Sequence, residues 1–210
     1  ITPFLKFCER TSKKKGAGIK ELFEIAPNFT SAINLAKSAL SKGIEHPKII
    51  KLVEILSKVE SKVLIFSSYR DSVATIHKKL VESNVSAEIL IGKAGQTGLK
   101  QDEQVETVQR FKDGITKVLV ATRVGEEGLD ISDVNLVIFY DNVPSSIRFV
   151  QRKGRTGRKD KGRLVVLIAK DTIDEPYYWI GKRKMKSANN MGEKISKELA
   201  KNEQVLDDFF

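Results

Sequence analysis

The apolar positions of the central chain follow two rhythms. Short unbroken runs alternate with stretches in which apolar residues recur every three or four positions. The run Lys62–Ser67, rich in branched and aromatic residues, reads as a buried strand, and Ala87–Ile91, Lys117–Ala121, Leu136–Tyr140 and Arg163–Ala169 read as further strands. Between them, Val73, Ile76, Leu80 and Val81 predict an amphipathic helix over 70–83. Val105, Val108 and Phe111 mark one face of a helix over 101–113, closed by Gly114, and a further helix runs from Ser145 to about Lys153. Strands that are apolar throughout are buried on both faces, the mark of a parallel sheet between two helical layers. In such sheets ligands bind beyond the carboxyl ends of the strands. The informative segments are therefore Ser67–Arg70, Gly92–Gly95, Thr122–Asp130 and Asp141–Ser145.

The flanks differ from the centre. Residues 28–43 and 47–58 read as helices, the second from Ile49, Leu52, Val53 and Leu56. Lys13-Lys14-Lys15-Gly16-Ala17-Gly18 reads as a mobile basic loop, and 173–207 as helix interrupted near Asn189–Gly192. No run of roughly 18 apolar residues is present, so no transmembrane helix and no membrane partner is expected. The start lacks the pattern of a signal peptide and begins at Ile1, which suggests a piece of a longer protein. A single cysteine, Cys8, and two distant histidines, His46 and His77, give no internal disulfide and little for a metal site. An intracellular, cytoplasmic setting fits.

Charge changes the picture. The net charge of +10 favours an anionic partner, with nucleic acid first. It is concentrated: residues 151–163 hold seven basic residues and one acidic. A solvated helical face normally mixes signs, so this glycine-bearing tract asks for a reason.

The chemistry of the segments begins with an absence. No G-x-x-x-x-G-K-[ST] loop occurs, since Ile91–Gly98 has the wrong spacing, and no acidic pair follows a buried strand. The chain alone is expected not to hydrolyse ATP. In Gln151-Arg152-Lys153-Gly154-Arg155-Thr156-Gly157-Arg158, by contrast, glycines allow tight turns and the arginines are planar cationic forks suited to phosphate oxygens. Taken alone the tract also fits a basic surface loop. Thr122, just past a strand, suits an oxyanion or an ordinary helix N-cap. Asp130 suits ribose hydroxyls or a plain turn.

Together, Ala121-Thr122 with Glu126-Glu127-Gly128-Leu129-Asp130-Ile131, the strand ending Tyr140-Asp141, and Gln151–Arg158 resemble motifs V and VI of superfamily-2 helicases, and Lys62–Arg70 resembles motif IV. The chain is most similar to the Hef/FANCM branch, with RIG-I-like and Dicer helicases as cousins. Gln104, Gln109, Val143–Arg148 and Asp174-Glu175-Pro176-Tyr177-Tyr178-Trp179 pull toward Hef.

The resemblance implies a RecA-like α/β lobe over 47–186, the tail of a helical insertion over 1–46 and a helical extension over 187–210. It implies ATP and Mg2+ held mainly by a first RecA-like lobe, with Arg155 and Arg158 as arginine fingers and Gln151 positioning the nucleotide. Gly128 and Asp130 would line the nucleotide cleft. Ser67, Gly92 and Thr122, and less specifically Arg70, Lys93 and Arg123, would hold the phosphates of a tracked strand, DNA in preference to RNA. A non-enzymatic binding module of the same fold is the remaining alternative, disfavoured by the intact arginine pair.

Overall fold

The computed structural model describes residues 1–93, 98–122, 131, 134–142, 163–184 and 186–187. Five strands form one sheet: β1 (Val63–Phe66), β2 (Ala87–Leu90), β3 (Val118–Ala121), β4 (Leu136–Phe139) and β5 (Arg163–Val166). Their order is β2-β3-β1-β4-β5 and every pairing is parallel. The helices are α1 (Thr2–Ser12), α2 (Ala17–Lys20), α3 (Pro27–Ser41), α4 (Pro47–Ser57), α5 (Arg70–Glu82), α6 (Gln101–Lys112) and α7 over 174–184, with a π-helical turn at Glu21–Ile25.

Successive side chains of a strand point to opposite faces, so the register decides which residues share a layer. Val63 pairs with Val118 and Leu136, and Ile65 with Val120 and Ile138. This set packs against Ile49, Leu52 and Leu56 of α4 and Val73, Ile76 and Leu80 of α5. The alternate set, Leu64, Phe66, Leu119, Ala121, Val137 and Phe139, packs against Val108 and Phe111 of α6 and against Ile131 and Val134. The result is the expected three-layer α/β/α architecture, a RecA-like lobe. Each fully buried Leu or Ile contributes about 1.5–3 kcal/mol by leaving water.

The differences from expectation are local. Val81 and Val105 are exposed. On α6 the inward face is Gln104, Thr107, Val108 and Phe111. Gln104 enters it because its amide donates to the carbonyl of Leu99 over 2.9 Å, which satisfies the buried polar group. The loop expected over 13–18 is limited to 13–16, because Ala17–Lys20 forms a helical turn. Gly114 does close α6, at φ +78°, a conformation that favours glycine. α3 buries none of its residues, leaving Leu35 and Leu40 exposed. The helix expected at Ser145–Lys153 and the stretch beyond 187 lie outside the described residues.

The topology positions the site. The chain leaves β1 toward β2 on one side, and β4 leads to β5 on the other. β1 and β4 are thus the neighbours from which the chain diverges, and such divergence opens a crevice at the carboxyl ends.

Candidate functional site

At the β1–β4 crevice a carboxylate joins the two strand ends. Asp141 accepts the hydroxyl of Ser67 at 2.6 Å and the Ser68 amide at 2.9 Å. The ladder also runs one residue past the strands, with the Ser67 amide on Ala121 O and the Tyr140 amide on Phe66 O. Ser67 is fully buried, so its hydroxyl needs a partner, and the ionised acceptor makes the bond strong.

On the other side of β1, Arg70 opens α5 and its guanidinium donates to the carbonyl of Gly92 over 2.6 Å. This clamps the end of β1 to the segment after β2. Gly98 packs on the same segment: a Cβ there would stand 2.3 Å from the carbonyl oxygen of Lys93. Thr122, buried at the end of β3, sends its amide to Leu90 O over 3.0 Å.

Behind Asp141 lies a second ionic feature. Lys48, in the first turn of α4, is buried and pairs directly with Asp174 at the start of α7. Its ammonium also donates to the carbonyl of Tyr140 over 2.8 Å. Asp174 in turn accepts the Ala169 amide at 2.9 Å. A polar chain thus runs Asp174, Lys48, Tyr140 carbonyl, Asp141, Ser67. Burial, then the carboxylates of Asp141 and Asp174, push the Tyr140 phenol above its usual range. His46 caps α4, its Nδ1 accepting the Lys48 amide at 3.2 Å. Burial, followed by nearby positive charge including Lys48, holds this imidazole below its usual value.

The structure places Ser67, Gly92 and Thr122 in one row. Phe66, Ala121 and Leu90 are register partners; Ser67 and Thr122 lie one residue beyond Phe66 and Ala121, and Gly92 two residues beyond Leu90, past the ends of three adjacent strands. Arg70 touches that row, and Lys93 continues it. Arg123, Gly128, Asp130, Gln151, Arg155 and Arg158 lie outside the described residues. Among the described residues no group of three or more His, Cys, Asp or Glu side chains stands close enough to hold a metal. None of the described helices is long and apolar enough to cross a membrane.

Asp141 opens one of the informative segments but has no role assigned from the sequence, and Lys48, Asp174 and Gly98 are not expected there as site residues. Lys48 carried a signal, since it interrupts the apolar stripe of Ile49, Leu52 and Leu56 at i to i+4 spacing from Leu52. Asp141 stands at the switch point, but its partners come from a strand about 70 positions earlier.

A parallel five-stranded sheet with helices on both faces is the RecA-like architecture of helicase C-terminal domains. Residues 47–160 match the model for the helicase conserved C-terminal domain, and the chain belongs to that family. Its relatives are superfamily-2 helicases of the FANCM, Mph1 and Hef type. The ATP-dependent DNA helicase MPH1 of Pyricularia oryzae is 41% identical over 202 residues, which cover 84% of this chain and 18% of that protein. The Fanconi anemia group M protein homolog of Mus musculus is 37% identical, over 85% of this chain and 10% of the relative. A Methanocaldococcus jannaschii protein that carries an ATP-dependent RNA helicase name, MJ1505, is 39% identical over 83% of this chain and 23% of its own length. The crystal structure of the Pyrococcus furiosus Hef helicase domain matches with a TM-score of 0.62 and 40% identity, over 84% of this chain and 37% of that one. The chain therefore spans less than a quarter of each of these curated relatives.

Proposed function

We propose that the chain is the second motor lobe of an ATP-dependent superfamily-2 DNA helicase or translocase that processes forked or branched DNA. The observation that carries this reading is the row of Ser67, Gly92 and Thr122 along the carboxyl edge of β1, β2 and β3. With strands about 4.8 Å apart, the row extends about 10 Å, enough to follow a phosphate backbone. Contacts of this kind do not read base sequence. Arg70 fixes the shape of the row through Gly92, and Lys93 and Arg123, the residues that follow Gly92 and Thr122 in the sequence, supply positive charge for the same phosphates. The Ser67 hydroxyl, engaged by Asp141, acts by holding the turn in which Ser68 and Tyr69 lead into α5.

ATP with Mg2+, bound mainly on the first RecA-like lobe of the same polypeptide, supplies the driving energy. Arg155 and Arg158 donate to its phosphate oxygens and stabilise the charge that builds up there. Gln151 positions the nucleotide, while Gly128 and Asp130 line this side of the cleft. Because the arginines favour the closed arrangement only while those oxygens are present, hydrolysis shifts the lobes apart and steps the strand-holding row along one strand. The absence of a phosphate-cradling loop within these residues supports a lobe that is inactive alone.

The test is Arg158→Ala in the full-length protein, expected to lower ATP turnover by roughly three decades. Near-normal turnover removes the finger assignment. The RNA helicase name of the Methanocaldococcus relative supports a second reading, a lobe that tracks RNA. Competition between matched DNA and RNA forks separates the two, because an RNA enzyme requires the 2′-hydroxyl.

A further inference from the structure

We infer that α7 carries a stacking site for the bases of single-stranded nucleic acid, centred on Trp179. Trp179 is 54% exposed, an unusual position for the largest apolar side chain in a protein that has only one. The ring is held rather than loose. Tyr178 meets it edge to face, with centroids 5.2 Å apart, and the ammonium of Lys182 stands 5.2 Å from the indole centroid. The same ammonium lies 5.8 Å from the centroid of Tyr178. An oriented indole loses little freedom when a base stacks on it, so the aromatic pair is organised in advance.

Charge selects the occupant. From Pro176 to Gly192 the sequence carries Lys182, Arg183, Lys184 and Lys186 and no acidic residue. Lys182, Arg183 and Lys186 are exposed. An apolar protein partner would meet these exposed cations at a desolvation cost, whereas a polynucleotide offers a flat π face for the indole and phosphates for the cations. Part of the basic excess also suits the negative end of a helix, but that effect does not require an exposed indole beside it. Duplex DNA keeps its bases stacked on one another, so the site fits a single strand.

Position supports the assignment. α7 begins at Asp174, which the buried Lys48 ties to the carboxyl edge of β4. Trp179 follows five residues later, about 7.5 Å along the helix axis. The site shares no residue with the row of Ser67, Gly92 and Thr122. It rests on the motor reading only for the choice of a nucleic-acid ligand.

The lone tryptophan makes the proposal directly measurable. The chain is titrated with an oligothymidylate and with an abasic deoxyribose-phosphate strand of the same length. Binding is followed by anisotropy of the labelled strand and by tryptophan emission. The oligothymidylate is expected to quench emission in step with binding, while the abasic strand binds by charge and leaves emission unchanged. Trp179→Ala is expected to weaken oligothymidylate binding roughly tenfold, with Trp179→Phe retaining most of it. Lys182→Gln combined with Arg183→Gln should reduce the salt slope by about 2. Oligothymidylate that binds without changing emission overturns the stacking site, as does equal quenching by the abasic strand or unweakened binding by Trp179→Ala. These results leave the motor reading intact, which fails instead on the ATP turnover of Arg158→Ala.

Discussion

The hydroxyl of Ser67 donates to the carboxylate of Asp141 over 2.6 Å, bridging the ends of two adjacent parallel strands at the point where the chain diverges. The same carboxylate receives the Ser68 amide. Asp141→Ala removes the acceptor of the buried Ser67 hydroxyl and of the Ser68 amide. Hydrogen bonds to a charged acceptor are worth about 1.5–3 kcal/mol each. The variant is expected to lose about 3 kcal/mol, read as a lower urea midpoint at unchanged slope. Asp141→Asn keeps an acceptor for the Ser67 hydroxyl and is expected to lose less. Equal losses in the two variants would show that the bridge is not what holds this edge.

Gly98 is constrained by its neighbours rather than by its own backbone angle. A Cβ would lie 2.3 Å from Lys93 O, 2.5 Å from Lys93 C and 2.7 Å from Gly92 O. These are backbone atoms and cannot swing aside, so Gly98→Ala must displace the Gly92–Lys93 segment. The expected cost is about 1–3 kcal/mol, or a fall of several degrees in Tm. The displacement also breaks the Arg70 bond to Gly92, so binding of a single strand at the row should weaken in the same variant. A variant with wild-type Tm and affinity would exclude this close packing.

The centre of the sheet was legible because its three inner strands bury both faces and so leave unbroken apolar runs, as Val63–Phe66, Val118–Ala121 and Leu136–Phe139 do. Strand ends were less legible. Tyr140 continues the apolar run of β4, yet its carbonyl turns aside to Lys48. The helix faces erred where a polar residue was buried with a partner. Gln104 displaced Val105 from the inner face of α6 because Leu99 satisfies its amide. The carboxyl-edge segments follow from the topology rule, since the ends of parallel strands gather whatever follows them, while the phosphate-holding role of Ser67, Gly92 and Thr122 follows from the family resemblance. The contacts that shape the row were not readable. Asp141 to Ser67, Lys48 to Asp174 and Gly98 to Lys93 depend on packing between distant or close-folded segments that periodicity does not encode.

His46 makes part of the lobe's stability sensitive to pH. Its Nδ1 accepts the Lys48 amide at the start of α4, which requires the neutral ring. Burial is the main cause of its lowered value, and the Lys48 ammonium acts in the same direction while Asp174 opposes it. The folded value lies below the unfolded value of 6.5, so the unfolded chain takes up the proton first. The contribution is therefore fully present above pH 6.5 and is lost as pH falls through the folded value. His46→Asn offers a capping oxygen and no titration in this range. Its stability curve should be flatter than that of the wild type on the acid side of pH 6.5. Parallel curves would exclude His46 as the titrating group.

Lys48 and Asp174 place opposite charges in a nearly dry setting, with side chains only 8% and 15% exposed. A cation in the first turn of a helix also opposes the helix dipole. Desolvation and the dipole are both unfavourable, so the pair is better understood as fixing geometry than as adding stability. It joins α4, the β4 exit through Tyr140, and α7. Removing one partner strands a buried charge: Lys48→Met or Asp174→Asn is expected to cost about 3–5 kcal/mol. The double variant Lys48→Met with Asp174→Leu removes both charges and should recover most of that loss, giving a large coupling energy in a double-mutant cycle. The recovered stability should not restore the position of the Tyr140–Asp141 turn, because the ammonium that held the Tyr140 carbonyl is gone. Amide exchange at Ser68, whose proton rests on Asp141, should therefore be faster in the double variant than in the wild type even when their global stabilities match. Slow exchange at Ser68 in the double variant would confine Lys48 to a local ion pair with no reach into the switch-point crevice.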